Sequence, residues 1–178
     1  MFYFAYGSNM LTARLAQRVP SVRPAGAAWL AGHQLHFHLR GSDGSGKCNV
    51  LHTGDATDVV HGVLFQLDAD RLEILHAAEG PAYAFLELEV GSASGPRRAA
   101  IYRGLPEHLD DSLVPFDWYC AFVVNGAREH GLPADYVAAL ERVGAQADSD
   151  RARARLNADI LRHQPNNVEP AFEQSRND

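Results

Sequence analysis

Phe2-Tyr3-Phe4-Ala5-Tyr6-Gly7-Ser8-Asn9-Met10 opens the chain with an abrupt change of character. Four consecutive aromatic or small apolar residues read as a buried strand, and Gly7-Ser8-Asn9 stops them in a tight loop. Behind the loop, Met10, Leu11 and Leu15 recur at helical spacing, Ser8 or Asn9 is placed to cap the helix, and Pro20 lies just beyond a last turn containing Arg18. Strand, loop and helix thus fit into the first 19 residues. A glycine-containing turn between a strand and a helix also presents consecutive backbone N–H groups, a natural cradle for an anion or oxyanion. An ordinary helix cap is the plainer reading of the same residues.

Outward from this start, short apolar or alternating runs between Ala27 and Leu39, from Val59 to Leu67, from Tyr83 to Val90 and from Arg98 to Tyr102 read as strands. Leu35, Phe37 and Leu39 fall on one face of such a strand and His36 and His38 on the other, the pattern of an antiparallel or mixed sheet covered on one side. From Phe116 the period lengthens. Phe116, Tyr119, Cys120, Val123 and Val124 predict a helix from Phe116 to His130, Pro133 is placed to open another at its first position, and a third runs from about Ser149 to His163. Strands early and helices late give an α+β fold with a helical C-terminal part. At 178 residues the chain has room for one core, so residues 1–163 are expected to form a single domain, and the polar segment 164–178, with two prolines, a flexible tail.

A net charge of −6 offers no basic field for phosphate backbone, so nucleic acid is not expected as a partner. No run approaches the roughly 20 apolar residues of a membrane helix, and no signal-peptide pattern precedes Gly7. With only two cysteines, Cys48 and Cys120, a reducing cytoplasm is the expected compartment.

Three stretches imitate functional sites. Gly41 to Cys48 fits the phosphate-loop spacing Gly-x4-Gly-Lys, and Val63 to Asp68 resembles the magnesium-binding strand that accompanies it. However, Cys48 replaces the metal-binding hydroxyl, and a strand and turn rather than a helix follow. His33, His36, His38, His52 and His61 include zinc-compatible side chains, but no paired cysteines or His-Glu-x-x-His spacing supports a metal centre, so none is expected. Cys120 falls on an apolar helix stripe, where core packing explains it better than nucleophilic chemistry.

Glu79 stands out differently. The apolar helix from Arg71 to Ala78 precedes it and Gly80-Pro81 follows, so its carboxylate lies at a helix-to-loop junction among Leu75, Ala77 and Ala78. Partial desolvation there raises a carboxyl pKa and suits a general base near neutral pH. A solvated glutamate at a helix end is the alternative.

Taken together, these segments resemble the γ-glutamylcyclotransferase family. Phe4 to Met10 is similar to its F-A-Y-G-S-N-[LM] motif. Val60-His61-Gly62-Val63-Leu64-Phe65 resembles its V-W-G-V-V-[WY] strand with His61 in place of tryptophan. Ala78-Glu79-Gly80 resembles its E-G turn, and Gly126 to Tyr136 its G-A-[KR]-E-x-G-L-P-x-x-Y run. The resemblance implies a small mixed β-barrel flanked by helices, and an enzyme, independent of cofactors, that cyclises a γ-glutamyl amino acid or peptide to 5-oxoproline and frees the amino acid. It implies Glu79 as the catalytic general base and acid. It implies substrate-binding roles for Tyr3, Phe4, Ala5, Tyr6, Gly7, Ser8 and Asn9, whose backbone amides line the pocket, and for Tyr102 and Tyr119, whose phenols would hold Glu79 or the substrate carboxylate. Lys47 and Asn49 are further candidates to face that pocket. The final run favours the general γ-glutamyl amino acid branch. A γ-glutamylamine or glutathione cyclotransferase using the same site, or a non-catalytic small-molecule-binding protein of the same fold, are the alternatives. Related proteins can be homodimers.

Overall fold

The computed structural model describes residues 1–20 and 22–162, so the expected tail at 164–178 lies outside the described residues. The early strands are β1 (Phe2–Ala5), β2 (Arg23–Ala31), β3 (His33–Arg40), β4 (Gly46–His52) and β5 (Val59–Gln66), with α1 (Thr12–Arg18) between the first two. Next come α2 (Leu72–Glu79), β6 (Tyr83–Ser92) and β7 (Arg97–Gly104). The chain then turns helical through α3 (Asp117–Glu129), α4 (Ala134–Glu141) and α5 (Arg151–Arg162).

Five strands close into a barrel in the order β1-β5-β2-β6-β7. The β1–β7 seam is parallel and the other pairings are antiparallel. β3 and β4 form a separate hairpin. Phe4, Val60, Phe65 and Ile101 are fully buried in the core. Closure depends on Gly62: a Cβ there would lie 2.4 Å from the Ala5 carbonyl and 2.7 Å from the Phe4 ring, so a larger residue could not sit where β5 meets β1.

Outside the barrel, α3 packs on the first loop with Trp118, Tyr119, Phe122 and Ala127 buried, and Leu11 and Leu15 are fully buried as well. Neither Ser8 nor Asn9 caps α1. Residues Ser8–Met10 form a 3-10 turn of their own, and α1 begins only at Thr12. The cap comes instead from α3: Glu129 Oε2 accepts the Thr12 N–H at 3.1 Å, and Thr12 Oγ1 lies 3.1 Å from His130 Nε2. Pro133 is not the first helical residue of α4 as expected but its cap, and the helix begins one place later at Ala134.

The alternation expected of β3 also fails part-way. An extra residue between His36 and Leu39 breaks the two-residue period, so adjacent His38 and Leu39 are both buried. Gly41 to Ser45 is the turn of the β3–β4 hairpin and Gly46 to Cys48 begin β4, with the Gly41 N–H on the Ser45 carbonyl at 2.9 Å, Gly44 at φ +79° and the Lys47 ammonium 2.7 Å from Asp43. A hairpin of this kind has no helix N-terminus to offer a phosphate. Cys120 is only half-buried, whereas Cys48 is the cysteine in the core.

Candidate active site

Two local features place Glu79. Gly80 adopts φ +80°, a conformation that a residue with a side chain rarely takes, and so ends α2 immediately after Glu79. Across from it, the 3-10 turn after β1 sends the Asn9 side chain back toward the strand. Asn9 Nδ2 donates to Glu79 Oε1 at 2.7 Å and meets Tyr3 Oη at 3.0 Å, while Tyr3 Oη donates to the same Oε1 at 3.0 Å. Arg18 Nη1 donates to Asn9 Oδ1 at 3.1 Å and completes the chain. Oε1 therefore carries both bonds, and among the described residues no donor meets Oε2.

Burial pushes the Glu79 carboxyl above its usual 4.5, against the opposing pull of Arg18, the Tyr3 and Asn9 hydrogen bonds and the more distant Arg14. Desolvation wins, which gives a carboxylate more basic than a surface glutamate. Tyr3 and Asn9 hold its orientation.

The carboxylate borders a cavity of about 570 Å³. Tyr3, Tyr6, Gly7, Ser8 and Asn9 line it, as do Tyr102 and Tyr119. Phe4 and Ala5 are packed in the core and do not line it. Among the described residues, the N–H groups of Gly7, Ser8 and Asn9 meet no intramolecular acceptor, so they are available to a bound group. Gly7 is required by a close approach: a Cβ would fall 3.0 Å from Cys48 Cβ and 3.2 Å from Tyr119 Oη.

The phenols of Tyr102 and Tyr119 do not hold Glu79. Tyr119 Oη accepts the Cys48 N–H at 2.9 Å, and Tyr102 Oη lies 2.6 Å from His76 Nδ1. Each reaches a nearer partner, and Tyr3 supplies the phenol at Glu79 instead. Tyr6 Oη donates to the Tyr102 carbonyl, tying the loop to β7. Lys47 lines the cavity, but Asn49 does not: its Oδ1 accepts the Gly104 N–H at 2.7 Å and its Nδ2 lies 3.0 Å from His38 Nε2.

Sequence reasoning missed Arg14, Arg18, Tyr83 and His76, all of which line the cavity or the shallower pocket beside Tyr102. Arg14 and Arg18 lie one helical turn apart on α1, a spacing that puts them on one face but does not tell a cavity wall from a solvated face.

The five histidines do not form one cluster among the described residues. His33 faces His52 with ring centroids 4.8 Å apart, and His61 packs edge-on against Tyr136. His36 and His38 lie near Asp111 with their potential ligand atoms within 4.8 Å of one another, but His38 Nδ1 is 2.8 Å from Asp111 and its Nε2 faces Asn49, so both ring nitrogens are engaged. Burial pushes the Cys48 thiol up to about 12 and the Cys120 thiol up to about 11, which leaves neither as a thiolate at neutral pH.

The fold is similar to that of a solved γ-glutamyl cyclotransferase, with a TM-score of 0.81 at 24% identity over 91% of this chain and 98% of that one. The AIG2-like family model matches residues 59–140, from β5 through α4. The γ-glutamylcyclotransferase of Homo sapiens is 31% identical over 150 residues, covering 79% of this chain and 77% of that protein. That of Bos taurus is 30% identical over 141 residues, covering 75% and 73%. The chain belongs to the γ-glutamylcyclotransferase family, an enzyme family. Among the described residues no helix is long and apolar enough to cross a membrane.

Proposed function

We propose that the protein is a γ-glutamylcyclotransferase acting on γ-glutamyl amino acids. The observation that carries this reading is one carboxylate, Glu79, held by Tyr3 and Asn9 and made more basic by burial, on the wall of a cavity also lined by Gly7, Ser8 and Asn9, whose N–H groups meet no acceptor among the described residues.

The substrate's α-amine, largely protonated at neutral pH, gives up a proton to Glu79 and attacks its own γ-carbonyl carbon. A C–N bond forms, closing a five-membered ring, and negative charge develops on the carbonyl oxygen. The amides of the Gly7-Ser8-Asn9 turn meet that charge, each well-placed donor contributing roughly 3 kcal/mol to the transition state. As the tetrahedral centre collapses, Glu79 returns the proton to the departing nitrogen and that bond breaks; the ring nitrogen, left with two protons by the attack, passes one through Glu79 to the freed amine, which leaves as an ammonium. The products are 5-oxoproline and the free amino acid. Arg18, bonded to Asn9, supplies the counter-charge for the α-carboxylate, which sits on the same carbon as the amine. Tyr102 and Tyr119 serve as cavity walls that fold the substrate so that amine and carbonyl lie about 3 Å apart. Cys48 and Cys120 are free thiols, in keeping with a reducing cytoplasm.

Incubating the purified protein with γ-glutamyl-alanine, γ-glutamyl-lysine and glutathione, and following 5-oxoproline by mass spectrometry, tests the reading. Product from γ-glutamyl-alanine is expected. No product from any of the three overturns it.

The pH dependence follows from the environment of Glu79. A base works only when ionised, so kcat/KM falls as pH drops through its folded-state pKa. That acidic limb is expected above pH 4.5 because burial raises the group. Arg18 opposes the rise, so Arg18→Gln moves the limb to still higher pH. A pH–rate profile of the two proteins checks this, and a limb that stays in place or moves downward assigns it to another group.

A further inference from the structure

Arg14 and Arg18 both line the cavity without an ion pair among the described residues, and of the two Arg18 is bonded to Asn9. Lys47 is matched by Asp43 at 2.7 Å and Arg40 by Asp110 at 2.6 Å. Outside the cavity lining, Arg153 has Asp148 at 2.6 Å. Arg14 forms no ion pair among the described residues. Its guanidinium lies over the Phe122 ring, with Cζ 4.3 Å from the centroid and 5.9 Å from that of Trp118. It reaches Asn157 Oδ1 at a long 3.3 Å, and its buried Nε has no partner. Burial, aided by the like charge of Arg18, pushes the group down to about 9, which leaves it charged at neutral pH. Nε is closed off from the cavity, but Nη2 makes no hydrogen bond among the described residues and is not sealed in, so a guanidinium of the cavity lining keeps one N–H edge that a ligand carboxylate would complete.

We propose that Arg14 binds the carboxylate of the departing amino acid and makes the enzyme select amino-acid leaving groups over simple amines. The assignment rests on the cyclisation reading, because that chemistry fixes the substrate's direction. The α-amine has to meet Glu79 and the γ-carbonyl oxygen the Gly7–Asn9 amides, so the α-carboxylate falls on the Arg18 side of the site. The leaving group extends beyond the carbonyl, away from that carbon. Arg14 lies one turn before Arg18 on α1 and is turned from Asn9 toward α3 and α5, where Phe122 and Asn157 hold it. Two cations thus stand on the two sides of the scissile amide, matching the two carboxylates of a γ-glutamyl amino acid.

The test compares γ-glutamyl-alanine with γ-glutamyl-ethylamide, which lacks only the leaving-group carboxylate. The wild-type protein is expected to prefer the former by about tenfold or more in kcat/KM, mainly through KM. Arg14→Gln is expected to lose most of that preference by raising KM for γ-glutamyl-alanine, and Arg14→Lys to recover part of it. Equal kcat/KM for the two compounds in the wild type overturns the assignment, and this measurement stands even where Arg14→Gln fails to fold. A proportional loss on both compounds also overturns it, since that is the signature of a packing role over Phe122 or of binding the α-carboxylate both compounds share. No 5-oxoproline from either compound overturns the cyclisation reading itself, and this assignment with it.

Discussion

Glu79→Gln is expected to fold as well as the parent chain and to lose about a thousandfold in kcat, within the range that general acid–base catalysis contributes. The geometry makes the substitution unusually clean. Both hydrogen bonds to the carboxylate, from Tyr3 and from Asn9, end on Oε1, and the glutamine carbonyl oxygen can occupy that place and keep both. The new amide group takes the position of Oε2, the atom with no donor of its own, and cannot accept the substrate's proton. Stability follows the opposite sign from activity. Because the folded-state pKa is raised, the native protein holds the proton to higher pH than the unfolded chain. The charge therefore costs stability once pH climbs past 4.5 and through the folded value. At pH 7 the neutral glutamine is expected to leave Tm unchanged or higher. Thermal unfolding and 5-oxoproline release, measured on the same preparations, check both parts. A kcat within tenfold of wild type removes Glu79 from the role, and a lower Tm shows that Arg18 and Arg14 outweigh burial.

What the sequence reveals of this site is what neighbours in the chain decide. An apolar helix meeting Glu79-Gly80 is legible because a glycine that ends a helix acts on the residue beside it, and the barrel strands are legible because their apolar runs are bounded by glycine and polar residues. Partners are another matter. Asn9 has the chemistry of a helix cap, but its amide is drawn to a carboxylate 70 positions away, and the cap passes to Glu129, 117 positions from Thr12. Tyr102 and Tyr119 are legible as cavity residues, yet their hydroxyls belong to His76 and to the Cys48 amide. Such choices are made by tertiary packing, which brings a nearer partner than the sequence pattern can name. Arg14 and Arg18 show the same limit in charge: two arginines at helical spacing read as a solvated face until the strands, α2 and α3 enclose a cavity beside them.

Gly126→Ala is expected to destabilise the protein by about 3 kcal/mol, in the range of severe overpacking, and to lower Tm by roughly 6–12 °C for a chain of this size. In an isolated helix the change would help, since alanine is better than glycine at an interior position by about 1 kcal/mol. Here packing opposes propensity and is the larger effect. A Cβ on Gly126 would lie 2.5 Å from the Leu11 nitrogen and 2.6 Å from the Met10 carbonyl carbon. Both are backbone atoms, so no side-chain rotation relieves the clash, and α3 has to withdraw from the 3-10 turn or displace it. That turn carries Asn9 and the three free amides, so the proposed chemistry should suffer with the fold. With α3 displaced, Glu129 no longer caps Thr12, and Asn9 loses its alignment on Glu79. Gly144→Ala is the matched control: a Cβ there meets nothing within 4 Å and its backbone is not in the left-handed region, so its expected effect is within about 0.5 kcal/mol. Calorimetric Tm values for the two variants decide the matter. Equal shifts would mean that the glycine in the Gly126-Ala127-Arg128-Glu129 run is not there to let α3 touch the loop. A large loss at Gly126 alone would identify that contact as the reason the last motif in the chain and the first belong to one site.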